Sequence, residues 1–117
     1  MRNNFENLAV YHRSLDVAVK IMKVIDDVRP YRLAEQIISS SISISSNIAE
    51  GSERGSTKDF IRFLEYASGS CSELGTQLTI INKAEKQLNL DLPTLIIELK
   101  EINSMIRGLI KSLQNTI

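Results

Sequence analysis

A seven-residue repeat of apolar side chains between positions 60 and 81 constrains this chain more than any other feature. The apolar positions alternate at steps of four and three, and Leu88 continues the same phase. This spacing places the side chains on one face of an α-helix and suits packing against other helices at about 20°. The repeat therefore predicts a long helix, and its members are Phe60, Leu64, Ala67, Cys71, Leu74, Leu78 and Ile81.

Two further segments carry an apolar stripe with helical spacing. One covers residues 7–28 and ends ahead of Pro30, because proline disfavours a helical conformation at the residue before it. The other covers residues 92–115, with Asp91 as the expected N-cap and Pro93 in the first turn. This last helix has more apolar surface than one stripe needs, so we expect part of it to be buried against another subunit. The additional residues are Ile96, Ile97, Met105 and Ile110.

The segment 32–50 is ambiguous because it combines serines with β-branched residues. Alternation over residues 42–45 is typical of a strand, whereas the isoleucines also fall at helical spacing. No second strand is indicated with which it would pair, and a lone strand leaves its backbone groups unsatisfied. We therefore predict a slender helix that depends on packing against its neighbours, because serine is a poor helix former.

The connection after this helix contains glycines and a helix-start signal. Gly51 is predicted to lie just past the helix, in the left-handed conformation that glycine adopts easily. Ser56 is predicted to cap a third helix over residues 56–89, with Asp59 at the position of a capping-box acid. The small residues 67–72 of that helix are expected to face the serines of the second helix or a partner chain.

Four helices joined by short connections predict an all-α fold, an antiparallel up-down-up-down four-helix bundle. We expect residues 1–117 to form a single domain. The first residues lack the apolar run of a secretory signal, and no stretch approaches the ~20 apolar residues of a membrane span. A cytoplasmic protein without a membrane partner is therefore expected.

The charge balance and the few reactive side chains give little support for an enzyme. Lys plus Arg and Asp plus Glu each number 14, so no global basic field exists to hold a polyanion. Cys71 is the one cysteine, which excludes an intrachain disulfide, and its place in the apolar repeat predicts a core residue. His12 is the one histidine and lacks the preceding glutamate of a di-iron motif, so we expect a surface residue. No catalytic residue, metal ligand or cofactor is predicted.

The turn at residues 51–56 has two glycines but lacks the Gly-Lys-Ser/Thr ending of a phosphate loop, so it predicts an ordinary helix–helix turn. Charged residues around it have two interpretations, which are a solvated face and a polar network against a neighbouring helix or subunit. Arg62 and Glu65 stand three apart on one helix face and can pair. The charged set is Glu50, Arg54, Arg62, Glu65 and Glu73.

Basic residues form two weak clusters, near the first connection and near the carboxyl end. A nucleic-acid surface would require the clusters to converge in the fold or to repeat around an oligomer. No aromatic residues are interleaved with them for base stacking. The residues are Lys20, Lys23, Arg29 and Arg32 in the first cluster and Lys100, Arg107 and Lys111 in the second.

A motif in three segments resembles a known family. The motif runs Ser43-Ile44-x-Ser46-Asn47-Ile48-Ala49-Glu50-Gly51, then Phe60-Ile61-Arg62-Phe63-Leu64 and Ser70-x-x-Glu73-Leu74. It resembles the 23S rRNA-intervening sequence protein family of bacterial four-helix bundles. The resemblance implies a homo-oligomer, a ring of five in known relatives, and no enzyme activity. It also implies a relation to the accessory protein of diversity-generating retroelements, which binds nucleic acid through a basic surface.

The chain departs from the family pattern at two places in the second helix, and one of them bears on nucleic-acid binding. Members commonly have two arginines where this chain has Ile38 and Ser39, and many have proline where it has Ser45. The missing arginines and the zero net charge argue against nucleic-acid binding. The motif residues are interpreted first as structural or assembly residues, with roles inside the turn, between subunits or at a ligand left open. They are Ser46, Asn47, Glu50, Gly51, Arg54, Arg62 and Glu73.

The sequence leaves three functions to be tested. The first is a non-enzymatic bundle that forms a homo-oligomer, a pentamer by resemblance, and acts as a scaffold or adaptor. The second is an accessory protein that binds RNA or DNA, in association with RNA or a retroelement. The third is an enzyme, which is disfavoured because no set of nucleophile, base or metal ligand is found.

Overall fold

The computed structural model describes residues 4–117, which form α-helices and 3-10 turns and contain no β-strand. The α-helices are α1 (Ala9–Met22), α2 (Tyr31–Glu53), α3 (Thr57–Lys83) and α4 (Leu92–Gln114), and the 3-10 turns are Phe5–Asn7 and Ile25–Asp27. The predicted all-α class is confirmed, and so is the choice of helix over strand for the serine-rich segment.

The four helices form an elongated bundle with dimensions of 46 × 21 × 20 Å. Each helix packs against the next one in the chain, and α1 also contacts α4, which closes the bundle. The most extensive contacts are α2 with α3 and α3 with α4, whereas the contact of α1 with α4 is the smallest between helices. The predicted four-helix bundle is therefore confirmed, with α3 joined closely to both of its neighbours.

The apolar repeat of α3 lies in the centre of the core, and every one of its seven members is buried. Buried isoleucines of α2 and the stripe of α4 pack around it. Most of the additional apolar residues of α4 pack within the bundle, and burial of the rest against another subunit stays a prediction. Ile110 belongs to the core, Ile96 and Met105 pack against it, and only Ile97 of the four is exposed.

The serines of α2 are compatible with the core because their hydroxyls bond to the helix itself. Ser41 donates to the carbonyl of Ile38 at 3.0 Å, and Ser45 donates to that of Ile42 at 3.2 Å. A buried hydroxyl without a partner would cost on the order of 1–3 kcal/mol, and these bonds avoid that cost. A serine-rich helix can therefore be buried and remain slender.

The first predicted helix, 7–28, is interrupted. α1 ends at Met22, and a 3-10 turn over Ile25–Asp27 follows before the chain reverses at Pro30. Tighter bonds, such as that from the N–H of Val28 to the carbonyl of Ile25 at 3.1 Å, keep apolar residues of this turn in the core. The apolar spacing of these residues continues that of α1, so the sequence pattern does not reveal the end of the helix.

The third predicted helix, 56–89, is too long at its carboxyl end. α3 ends at Lys83, and Glu85 has a left-handed φ of 56°. The N–H of Lys86 donates to the carbonyl of Ile81 at 3.2 Å, and that of Glu85 donates to Asn82 at 3.1 Å. These two bonds form a Schellman motif, which terminates the helix. Leu88 lies beyond the helix but still packs against the core.

Gly51 does not end α2, which continues to Glu53, and its φ is not positive. A Cβ atom on Gly51 would lie 2.6 Å from Cβ of Phe63 on α3 and 3.1 Å from Cδ1 of Phe60. Glycine is therefore required here by the close approach of two helices. The predicted left-handed conformation is wrong. A glycine near a helix end can either adopt that conformation or allow a neighbouring helix to approach, and the sequence does not distinguish the two.

The predicted helix starts agree with the structure. Ser56 Oγ accepts a hydrogen bond from the N–H of Asp59 at 3.1 Å and caps α3. Asp91 Oδ1 accepts from the N–H of Thr94 at 3.2 Å, and Pro93 lies in the first turn of α4. Bonds from the Thr94 hydroxyl and N–H hold the pKa of the Asp91 carboxyl below its usual value.

Candidate functional site

Most motif residues that reach a neighbouring helix do so along one line between α2 and α3, here termed the α2–α3 seam. It extends from a hydroxyl–carboxylate contact at one end to the close helix approach at the other. Of its members, the sequence predicts Asn47, Gly51 and Glu73 as candidate residues, whereas Ser40 and the partners across the seam are identified only by the structure. Its members are Ser40, Ser43, Asn47 and Gly51 on α2 and Phe63, Ser70 and Glu73 on α3.

Asn47 organises the middle of the α2–α3 seam. Its Nδ2 donates to the carbonyl oxygen of Ser43 at 2.8 Å and to the Ser43 hydroxyl at 2.9 Å. The hydroxyl of Ser70 on α3 donates to the same Ser43 oxygen at 2.9 Å. Asn47 thus holds in place the Ser43 hydroxyl that accepts the bond from α3. The small residues of α3 therefore face the serines of α2, which is one of the two arrangements that the sequence predicts.

Ser40 and Glu73 form the second polar contact of the seam. The Ser40 side chain is 1% exposed, and its oxygen lies 2.7 Å from Glu73 Oε1 and 2.9 Å from the carbonyl of Gln36. Its single proton is shared between these acceptors. One turn further along α3, Oε1 of Gln77 is buried without a hydrogen-bond partner among the described residues. The seam is thus polar along much of its length.

The end of the seam near the α2–α3 connection carries two arginines stacked on one aromatic ring. The guanidinium carbons of Arg54 and Arg62 lie 4.9 Å and 5.1 Å from the ring centroid of Phe63. Phe63 also meets Tyr66 edge to face at 5.4 Å between centroids. Cation–π contacts of this kind contribute roughly 0.5–1 kcal/mol at exposed sites, so they order the arginines more than they stabilise the fold.

The pair that spacing allows between Arg62 and Glu65 does not form. Arg62 Nη2 instead lies 3.1 Å from Asp59 Oδ1, and Glu65 Oε2 lies 2.7 Å from Nη1 of Arg107 on α4. Helical side chains lean toward the amino end of their helix, which brings Arg62 toward the acid one turn before it. Glu65 lies nearer the α4 side, where Arg107 reaches it.

Two exposed motif residues, Glu50 and Ser46, make local contacts at most within residues 4–117. Glu50 Oε1 lies 3.1 Å from Arg54 Nη2, one turn further along α2. Ser46 is exposed and makes no side-chain hydrogen bond to residues 4–117. Exposed ion pairs contribute about 0–1 kcal/mol, so Glu50 and Arg54 form a solvated surface. Both earlier interpretations of the charged set therefore apply, since Glu73 joins the helices and Glu50 does not.

The seven basic residues do not converge. Lys20 and Lys23 lie at the end of α1, beside Arg29 and Arg32 at the start of α2, and the other three are spread along α4. Lys111 is near the far end of that helix, about 16 Å from Lys100 at 1.5 Å per residue.

Three of these basic residues have partners. Lys20 pairs with Glu98 at 3.3 Å and Arg107 with Glu65 at 2.7 Å, while Arg29 lies 4.3 Å from the ring centroid of Tyr31. Within residues 4–117 the remaining four have no acidic partner, and they are Lys23, Arg32, Lys100 and Lys111.

The histidine and the cysteine occupy the places that the sequence predicted. His12 is exposed, with Nε2 at 2.6 Å from the carbonyl oxygen of Glu6. Cys71 is buried, and burial raises the pKa of its thiol from 9.0 to about 12, so the thiol is neutral near pH 7. The part of the chain that the structure describes contains no group of three metal-ligating side chains. Nor is any helix in that part long and apolar enough to cross a membrane.

The fold and the α2–α3 seam define a class of protein. It is a four-helix bundle in which motif residues form contacts between neighbouring helices. The family model of the 23S rRNA-intervening sequence protein matches residues 6–108, and the chain belongs to this family. It is similar to the crystal structure of a protein of unknown function from the S23 ribosomal protein family of Bacteroides thetaiotaomicron VPI-5482. The two are 26% identical, with a TM-score of 0.80, and the match covers 88% of this chain and 99% of that one. Comparison with curated proteins gives no match.

Proposed function

We propose that this protein is a non-enzymatic helical bundle that self-associates and acts as a scaffold or adaptor. The observation that carries the proposal is a strip of exposed large apolar side chains on α1 and α2, here termed the α1–α2 strip. Their exposed fractions range from 44% to 66%. Large apolar side chains that are exposed side by side commonly mark an interaction site. The strip consists of Val19, Met22, Tyr31 and Ile42.

Helix geometry places these side chains on neighbouring faces. Val19 and Met22 are three residues apart on α1, and Tyr31 and Ile42 are separated by about three turns of α2. α1 packs against α2, and the connection between them is short, so the end of α1 lies beside the start of α2. Ile38, which packs partly against the core, lies between the two residues of α2 along the same side.

A second copy of the chain suits this strip because it would supply the same apolar chemistry. Symmetric self-association is also the commonest form of protein assembly. The chain has no net charge, so long-range repulsion between copies is small. We take the pentamer implied by the family resemblance as the expected assembly.

Light scattering coupled to size exclusion tests the proposal. We expect a mass that is a multiple of the 13.1 kDa chain, fivefold for a pentamer. Val19→Lys and Ile42→Lys should lower this mass, because each places a charge in the interface. Ile97→Lys is the matched control, since Ile97 is equally exposed but lies on α4. A monomer at every concentration, or equal effects of all three variants, would exclude this assembly.

Nucleic-acid binding is the second candidate. It is supported by Lys23 and Arg32, which have no acidic partner within residues 4–117, lie at one end of the bundle and would repeat around an oligomer. Filter binding at low salt with structured RNA and duplex DNA tests it. We expect retention that weakens with salt and is reduced in Lys23→Gln with Arg32→Gln. Absence of retention, or retention independent of salt, would exclude this function.

A further inference from the structure

A groove runs between α3 and α4, on the side of the bundle opposite the α1–α2 strip. Its volume is about 340 Å³, within the ~300–1,000 Å³ range of small-molecule sites. Ile96 forms apolar surface in the groove beside the buried Leu99, and Ile80 borders it with 58% of its surface exposed. A ligand with an apolar body would cover this surface.

The hydroxyl donors of two lining threonines are already used within the groove. Thr76 donates to the carbonyl of Ser72 at 2.9 Å, and Thr79 donates to that of Gly75 at 2.7 Å. Asn103 Oδ1 accepts a bond from Ser68 at 2.6 Å, which leaves its amide N–H groups free to donate. A ligand in the groove can therefore accept a hydrogen bond from the Asn103 amide, whereas the hydroxyl protons of the two threonines are already engaged.

The charge of the groove comes from one residue. Lys100 lines it, no aspartate or glutamate does, and Lys100 has no acidic partner within residues 4–117. Lys100 and Asn103 are three residues apart on α4 and so lie on one face of that helix. Together they present an ammonium and an amide donor beside an apolar surface, which is complementary to an anion carried by an apolar chain.

We infer that the α3–α4 groove binds a free short straight-chain monocarboxylate. The hydrocarbon chain lies on Ile96 and Ile80, and the carboxylate accepts hydrogen bonds from Lys100 and Asn103. This inference is independent of the self-association proposed above, because the two surfaces lie on opposite seams of the bundle. The groove inference can therefore fail without affecting the other proposal.

Amide NMR titration of the full chain with octanoate, below the concentration at which it forms micelles, tests the site. We expect saturable shifts in residues 71–80 and 96–103, which line the groove. Octanol, with the same chain and no charge, should bind about tenfold more weakly, because a hydrogen bond to a charged group is lost. Octylammonium should bind more weakly still, since Lys100 repels it.

Two glycines of α3 provide a matched pair of variants. A Cβ on either Gly75 or Gly69 would meet no atom within 4 Å, so a side chain added at either position begins in open space. Gly75 lines the groove, whereas Gly69 is exposed outside it. Gly75→Leu should fill the groove and abolish the octanoate shifts, and Gly69→Leu should leave them unchanged. Thermal unfolding of both variants confirms that each one folds.

The charge is tested in the same way. Lys100→Gln should weaken octanoate binding about tenfold and leave octanol binding unchanged. Lys111→Gln removes another unpaired cation of α4 outside the groove and should have no effect.

Four results would overturn the inference, of which three come from the ligand titrations. They are equal affinity for all three ligands, octanoate binding to Gly75→Leu as strong as to Gly69→Leu, and shifts spread over α1 and α2. Groove amides that shift with protein concentration in the absence of ligand would also overturn it, since another copy of the chain would then occupy the groove.

Discussion

Gly51 on α2 lies so close to Phe63 on α3 that a Cβ atom built on the glycine would be 2.6 Å from Cβ of the phenylalanine. The Phe63 Cβ is attached directly to the backbone of α3, so a rotamer change cannot remove the contact. Gly51 is also buried. Glycine stands at this position of the family motif, and its missing Cβ allows the close approach of α2 and α3.

Gly51→Ala is therefore expected to destabilise the fold. Alanine favours a helix by up to ~1 kcal/mol, but the overlap with Phe63 forces the helices apart, at about 1–3 kcal/mol or more. We expect the overlap to dominate and the free energy of unfolding in urea to fall. Gly69→Ala, with no atom within 4 Å of its new Cβ, should raise it by up to ~1 kcal/mol. Equal stabilities of the two variants at one protein concentration would contradict this explanation.

The bond between Ser40 and Glu73 should appear as an energetic coupling across the α2–α3 seam. The two oxygens are 2.7 Å apart, and Ser40 is buried. In a double-mutant cycle of Ser40→Ala and Glu73→Ala we expect a coupling of about 1 kcal/mol. Ser14→Ala with Glu73→Ala is the control cycle, because Ser14 bonds within α1 to Val10 and α1 does not pack against α3. The control should be additive within about 0.5 kcal/mol, and coupling of similar size in both cycles would contradict a direct contact.

The fold could be predicted because its main signal is local. A helix face is defined by spacing alone, so the repeat on α3 predicted a long helix whose seven members are all buried. The end of that helix was less predictable. Leu88 continues the apolar phase, but the chain leaves the helix at Glu85 through a Schellman motif that spacing does not reveal.

The contacts of the candidate site could not be predicted, because they depend on how each helix is rotated and how far it is shifted along its neighbour. Arg62 has an acid three residues away on either side, and its spacing fits both. The structure selects Asp59, and Glu65 turns toward Arg107 of another helix. Gly51 was placed in the turn for the same reason, since its neighbour Phe63 is identified only once the helices are assembled.

Glu85 should be a position where glycine stabilises the protein. Its φ of 56° is costly for a residue with a side chain, by roughly 1–2 kcal/mol, and glycine adopts it freely. We expect Glu85→Gly to raise the free energy of unfolding by about 1 kcal/mol. Glu35→Gly makes the same chemical change inside α2 and should lower it by about 1 kcal/mol. A loss of stability in both variants would show that the left-handed conformation is not retained in solution.

The buried thiol of Cys71 should make the fold less stable in alkaline solution. Burial raises its pKa from 9.0 to about 12. Between these values the unfolded chain loses the thiol proton while the folded chain keeps it, so the stability present below pH 9 declines as pH rises. The expected slope is at most about 1.4 kcal/mol per pH unit. Lysines and tyrosines also titrate in this range, so the comparison must be made with Cys71→Ala.

Urea unfolding of both proteins from pH 7 to pH 11 isolates this effect. The wild-type protein should be the more stable at neutral pH, because alanine leaves a cavity in the core. Its advantage should shrink steadily above pH 9, since only the wild type has the thiol that ionises on unfolding. A constant difference across the whole range would mean that the thiol titrates alike in the folded and unfolded chains. Rapid alkylation of native Cys71 at pH 8 would lead to the same conclusion, because alkylation requires an accessible thiolate.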